Sequence, residues 1–181
     1  MRIKVSVGFL ALICFLGWLN LPVCVYFLFG MIVHEVGHLL ALRRCGVQIK
    51  HLELKVAGAV IDAGWMSYQK ELICAGAGPC TSILLCVCTL RAAPGLSMTS
   101  LALAVVNLLP LLPLDGGRML RACLMMVCRQ ETAETVLHWV TTATCLGMML
   151  LACWGTIQLQ AGVWPIFLAL LLLWKVGEQE K

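Results

Sequence analysis

The sequence predicts an all-α polytopic membrane protein of about six transmembrane helices, with a small β-hairpin between spans 2 and 3. Three observations carry that prediction. Of the 181 residues, 61% are hydrophobic and only 12% charged, and the mean hydropathy is +0.95; a soluble domain carries about a quarter charged residues. Long stretches hold no Asp, Glu, Lys or Arg at all, among them Val5–Val33 and the forty residues Thr135–Trp174. Between these apolar runs, Gly46–Gly64 alternates in the manner of paired strands.

The same numbers bound the function. The chain reads as one membrane-embedded domain, 1–181, with no room for a separate soluble domain. A net charge of +4 without a clustered basic face excludes a nucleic-acid partner. The 11 Cys are odd in number, scattered through apolar runs and nowhere spaced C-x-x-C. Cys80, Cys86, Cys123 and Cys145 therefore read as small buried apolar residues, and neither a disulfide framework nor Cys ligation of a metal is expected.

In chain order, the expected spans are approximately 4–20, 23–43, 71–90, 95–114, 135–154 and 158–175. The first resembles a signal peptide, but no A-x-A-like site follows, and Leu21-Pro22-Val23-Cys24 is a poor lipobox. It is therefore taken as a membrane helix ended by Asn20 and Pro22. In Gly46–Gly64, V-Q-I-K alternates, the phase slips at Lys50-His51, and L-E-L-K-V resumes. Ala57-Gly58 break the run before A-V-I-D-A-G, giving a ribbon at the membrane surface with His51 as an interfacial residue. The third span is opened by A-G-A-G-P at Ala75–Pro79, where small residues permit close helix approach and Pro79 is expected to bend the first turn. The fourth apolar run ends in N-L-L-P-L-L-P-L-D-G-G-R, Asn107–Arg118, where Pro110 and Pro113 should kink or open the helix. Thr135–Trp174 accommodates two spans with a turn near Gly155–Gln160 or Ala161–Pro165. Trp139, Trp154, Trp164, Trp174 and His138 read as interfacial residues.

The second span carries the chemistry. It contains His34, Glu35 and His38 in the order H-E-x-x-H, and residues four apart face the same way on a helix, so both imidazoles can grip one ion. Glu35 then sits where it can take a proton from a water in the ion's open position. H-E-x-x-H also arises by chance in soluble chains. Inside an apolar span, however, two His and a Glu are too costly to keep without a site. A third, hard oxygen ligand is what the two imidazoles lack, and Asp115 is the one acidic residue between Glu71 and Glu131. His₂, a carboxylate and a water complete a catalytic zinc site, one Zn²⁺ per chain.

Charge asymmetry gives orientation and an independent check on depth. With both termini inside, twelve of the thirteen Lys and Arg lie on the cytoplasmic side, leaving Arg91 outside. His38 precedes Arg43 by five residues and Asp115 precedes Arg118 by three. Both therefore fall roughly 5–8 Å inside the cytoplasmic boundary, at about 1.5 Å per residue. Two motifs distant in sequence arrive at one depth.

The pairing of H-E-V-G-H with A-G-A-G-P and N-L-L-P-L-L-P-L-D-G-G-R resembles the site-2 protease family of intramembrane zinc metalloproteases. The likeness is greatest to the six-span bacterial branch that processes a sporulation sigma-factor precursor, and it covers nearly the whole chain in span order. The resemblance implies His34, His38 and Asp115 as zinc ligands and Glu35 as catalytic acid/base. It also implies Asn107 as a residue that holds the substrate or the tetrahedral oxyanion. The sporulation branch usually carries a CBS domain after its last span, whereas this chain stops at Lys181, and no PDZ domain is inserted between the motif-bearing spans.

The expected activity is hydrolysis of peptide bonds in membrane-associated or single-span protein substrates near the cytoplasmic face, with a membrane regulatory partner as a further expectation. Such a substrate must be extended, because a helix hides its carbonyls in internal hydrogen bonds, and the Gly46–Gly64 ribbon offers strand edges to receive it. Pro110, Pro113 and the Gly116-Gly117 pair are expected to border a polar cavity that admits water. Two alternatives remain at this level: a non-catalytic metal-binding membrane protein or transporter, and a structural membrane subunit. The first has no need of Glu35 and the second no reason to bury His34, Glu35 and Asp115.

Overall fold

A computed structural model describes residues 2–5, 17–18, 20–47, 49–55, 58–63 and 66–158. The chain forms two compact units, Met1–Leu108 and Leu109–Lys181. The first holds β1 (Arg2–Val5), α1 (Leu21–Arg44), β2 (Ile49–Lys55), β3 (Gly58–Ala63), α2 (Tyr68–Thr89) and α3 (Pro94–Asn107). The second holds α4 (Asp115–Val127) and α5 (Gln130–Gln158). Among the described residues, three helices are long and apolar enough to cross a membrane: Leu21–Arg44, Tyr68–Thr89 and Gln130–Thr156. Of the expected spans 4–20 and 158–175, residues 4–5 belong to β1 and not to a helix; apart from these and residues 17–18, 20 and 158, both spans lie outside the described residues.

In the first unit, α1 begins where the sequence supplies a cap. The Asn20 side chain accepts from the Val23 amide at 3.2 Å, and Pro22 sits in the first turn, where its missing N–H costs nothing. Its end is equally well specified. Gly46, at φ 68°, takes the left-handed position, with Gly46 N–H bonded to the Arg43 carbonyl (3.2 Å) and Val47 N–H to the Leu42 carbonyl (3.0 Å). Arg43 and Arg44 in the last turn complement the helix dipole. Lys70, in the first turn of α2, donates to the Cys45 carbonyl at 3.0 Å and ties the two helix ends together.

The helices α1, α2 and α3 pack on one another with small and polar residues inward. Met31, Ala75, Ser82, Ser97, Ser100 and Ala104 are buried, while Phe29, Ile32, Leu40, Leu84, Val87 and Val105 are exposed. That inverted arrangement suits a lipid surround, where large apolar side chains face hydrocarbon and small ones let backbones meet. A Cβ on Gly37 would strike Thr81 and come within 2.8 Å of the Ala77 carbonyl, so α1 and α2 touch backbone to backbone there. On the α3 side, a Cβ on Gly30 would stand 3.0 Å from Leu103 Cδ1. The Ser97 hydroxyl donates to the Cys86 carbonyl at 2.9 Å, joining α3 to α2.

Strand order is β1-β2-β3, with β1 parallel and β3 antiparallel to β2. The β2–β3 register shifts between Ile49 and His51, where the sequence alternation slips.

Several expectations are corrected. Pro79 lies mid-way along a continuous α2 that starts at Tyr68, not in a first turn. The fourth expected span, 95–114, is not one helix: α3 ends at Asn107 after 14 residues. Pro110 has no N–H to continue the ladder, and the residue before a proline avoids helical dihedrals. The chain then turns through a cis Leu112–Pro113 bond and restarts as α4 at Asp115, a helix not anticipated from sequence. Gly117 makes that restart possible, since a Cβ there would collide with the Leu111 backbone and stand 2.6 Å from Leu112 N. The second unit's core gathers Leu111, Leu114 and Cys145, with Met148 packed against them. α5 runs unbroken through Gly155 to Gln158, so no turn occurs over those residues. Cys80 and Cys123 are exposed rather than buried, whereas Cys86 and Cys145 are buried as expected.

Candidate metal centre

His34 and His38 lie on the buried face of α1, at 4% and 6% exposure, in a row with Met31 and Leu42. Each ring is fixed through Nδ1 by the neighbouring α2. His34 Nδ1 is 2.9 Å from Ser82 Oγ, and His38 Nδ1 donates to the Cys74 carbonyl at 2.7 Å. A carbonyl can only accept, so the His38 proton sits on Nδ1 and the neutral ring presents a lone pair at Nε2. The two Nε2 atoms face each other at 3.2 Å, with ring centroids 4.8 Å apart and planes at 77°.

Ring nitrogens that close need a shared proton or a shared cation between them. Two nitrogen ligands about 2.05 Å from a tetrahedral zinc stand about 3.3 Å apart, close to the observed separation. The space opposite is kept by Gly78: a Cβ there would strike His38 Nε2 and stand 2.7 Å from His34 Nε2. Donor chemistry, ring orientation and clearance all fit a zinc ion.

Glu35 follows His34 on α1, half-buried and about 100° further round the helix. Asn107 is the last residue of α3, half-buried, and its side-chain amide donates to the Leu103 carbonyl of its own helix at 2.9 Å. In the second unit, Asp115 is the first residue of α4, 7% exposed, where a carboxylate suits the helix N-terminus. Arg118 Nη1 approaches Asp115 Oδ1 at 3.9 Å, a charge contact too long for a hydrogen bond. An open groove of about 570 Å³ in the first unit is lined by Gly37, Leu40, Ala41, Arg43, Arg44, Ala77 and Thr81.

Residues 91–151 match peptidase family M50. That stretch contains Asn107 and Asp115, and the match agrees with the resemblance carried by the motifs. The chain is similar to the zinc metalloprotease MJ0392 of Methanocaldococcus jannaschii, 31% identical over 108 residues, which is 52% of this chain and 32% of that protein. It thus spans about a third of that relative's length. In structure it is similar to a site-2 protease from Methanocaldococcus jannaschii, with a TM-score of 0.73 and 24% identity, covering 99% of this chain and 90% of the other. The structural likeness establishes a shared fold.

Sequence reasoning overlooked three α2 features at the His pair: the Ser82 hydroxyl, the Cys74 carbonyl and the clearance at Gly78. The signal available for Ser82 was a hydroxyl four residues after Gly78 inside an apolar span, on the same helix face.

Proposed function

We propose that this chain is an intramembrane zinc metalloprotease of the site-2 type. On this reading it is a multi-pass cell-membrane protein with both termini cytoplasmic, and it cleaves membrane-associated or single-span proteins near the cytoplasmic face. The resemblance of its motifs supports a place for it in the six-span sporulation branch. The observation that carries the proposal is the His34–His38 pair, both Nδ1 atoms tied back to α2 and both Nε2 atoms converging at 3.2 Å. Asp115 is assigned as the third ligand. It is a buried carboxylate in the motif that follows the His pair by the chain order of the family.

Bound at such a site, zinc would supply Lewis acidity, lowering a water's pKa toward neutrality and polarising a carbonyl. Glu35 accepts the proton of the attacking water on its carboxylate. It then returns that proton to the departing amine nitrogen as the peptide C–N bond breaks. Asn107 would hold the substrate or the developing oxyanion, which requires its amide to turn away from Leu103. An extended substrate segment is received by backbone pairing at β3, whose outer edge carries no strand among the described residues.

The test is zinc content of the purified protein alongside cleavage of a single-span substrate by wild type and Glu35→Gln. Stoichiometric zinc with activity lost in the variant supports the reading. Bound zinc with equal activity in both proteins would remove Glu35 from the chemistry, and zinc binding without any proteolysis would favour a non-catalytic metal protein.

A further inference from the structure

We propose that Ser82 is a positioning residue for the metal centre. Its hydroxyl accepts the Nδ1 proton of His34, fixes the ring as the Nδ1–H tautomer, and so presents Nε2 for ligation. The inference rests on the zinc reading above and adds a residue outside the ligand set.

The two imidazoles are not equally secured. His38 donates to a backbone carbonyl, that of Cys74, which has no donor capacity and enforces one tautomer. His34 meets Ser82 Oγ at 2.9 Å, and a hydroxyl can accept from or donate to a ring nitrogen. Either sense satisfies that hydrogen bond, but only one leaves the Nε2 lone pair of His34 available. When Ser82 accepts from Nδ1–H, both Nε2 atoms offer lone pairs to one cation; when it donates, Nε2 carries the proton and faces His38 at 3.2 Å as a hydrogen-bond donor. Ser82 is therefore a switchable partner: ligation and the direction of its hydrogen bond are coupled. Ser82 is fully buried, at 0% exposure, so its hydroxyl is out of contact with bulk solvent. Partners of this kind on metal-bound imidazoles alter metal affinity by roughly 10–100-fold.

Zinc affinity of the full chain in detergent, measured by competition with a chromogenic chelator, tests this without recourse to proteolysis. Ser82→Ala should bind zinc roughly 10–100-fold more weakly and shift the visible absorption of the cobalt(II)-loaded protein. Ser100→Ala removes another buried serine of the same unit, one whose hydroxyl donates within its own helix to the Leu96 carbonyl, and should match wild type. Because loss of packing could mimic the effect, Ser82→Thr and Ser82→Val supply a second comparison at equal volume. The threonine variant should bind zinc more tightly than the valine variant by a similar factor. Wild-type affinity and an unchanged cobalt spectrum in Ser82→Ala would overturn the inference and leave the zinc site standing. Equal affinities for Thr and Val, or equal losses for Ser82→Ala and Ser100→Ala, would likewise overturn it. Absence of zinc binding by the wild type would remove the underlying reading and this inference with it.

Discussion

Gly78→Ala separates helix stability from metal binding in opposite directions. On helix propensity alone, the change stabilises α2 by about 1 kcal/mol, since glycine is the poorer helix former. At the His pair it does the reverse. The added Cβ would strike His38 Nε2 and lie 2.7 Å from His34 Nε2, about 0.7 Å inside the 3.4 Å of ordinary contact. Zinc–ligand distances tolerate about ±0.2 Å, so at least one imidazole must leave ligating position. Tight zinc sites bind with roughly 10–16 kcal/mol shared among four ligands. One ligand's share is thus about 3 kcal/mol, or roughly a hundredfold in affinity. The assay pairs a chelator-competition titration with thermal unfolding of the metal-free protein in detergent. The expected result is a folded metal-free form of near wild-type stability, the helix gain being offset by roughly 1–3 kcal/mol of overpacking at the displaced ring, with zinc affinity reduced about a hundredfold. Wild-type affinity in Gly78→Ala would refute the idea that zinc occupies the space between the two Nε2 atoms.

Other perturbations address the remaining assignments. Glu35→Gln keeps shape and hydrogen bonding but cannot accept a proton, so zinc should be retained while cleavage slows by at least ~10²-fold; single-turnover cleavage of a single-span substrate measures it. Asp115→Ala should lose zinc or activity while still inserting into the membrane, and full occupancy with normal cleavage would take Asp115 out of the ligand set. In a background with native Cys replaced, a single Cys in Gly46–Gly64 should react only with membrane-permeant reagent, and one beside Arg91 should react from outside. Labelling of Gly46–Gly64 by an impermeant reagent in intact cells would overturn the cytoplasmic orientation.

The His pair was legible because one helical turn fixes the relation of His34 to His38 whatever packs around them. Asn20 and Pro22 marked a helix boundary for an equally local reason, a side-chain acceptor and a residue without N–H. The break after Asn107 was half legible. Pro110 announced a disturbance, but not that the chain would leave the helix for seven residues and restart at Asp115. α4 itself was hidden by Gly116-Gly117. Paired glycines count against a helix by propensity, yet here close approach of the Leu111–Leu112 backbone is what requires glycine at 117. Cys80 and Cys123 were misplaced because a small apolar side chain suits lipid and protein alike, so composition cannot assign its face.

The geometry at the His pair shows why α2 matters as much as the helix that bears the motif. Positions 74, 78 and 82 fall at i, i+4 and i+8, on one face of α2. They meet α1 in reverse order, Ser82 with His34 and Cys74 with His38, so the two helices run antiparallel at the contact. Residues eight apart on α2 are separated by about 12 Å, whereas the two histidines, four apart on α1, are separated by about 6 Å. The anchors therefore pull the Nδ1 edges of the rings apart along α2, and the Nε2 edges turn inward to meet opposite Gly78. A rotation of α2 about its axis displaces both anchors and the gap together. A sliding of α2 lengthens one Nδ1 bond as it crowds the other. Only one placement of α2 satisfies all three positions, and the close contact of Gly37 with the Ala77 carbonyl and the Thr81 side chain holds the helices close enough to keep it. The spacing of small and polar residues on α2 thus fixes the tilt of each imidazole, while H-E-x-x-H fixes only that two imidazoles share a face.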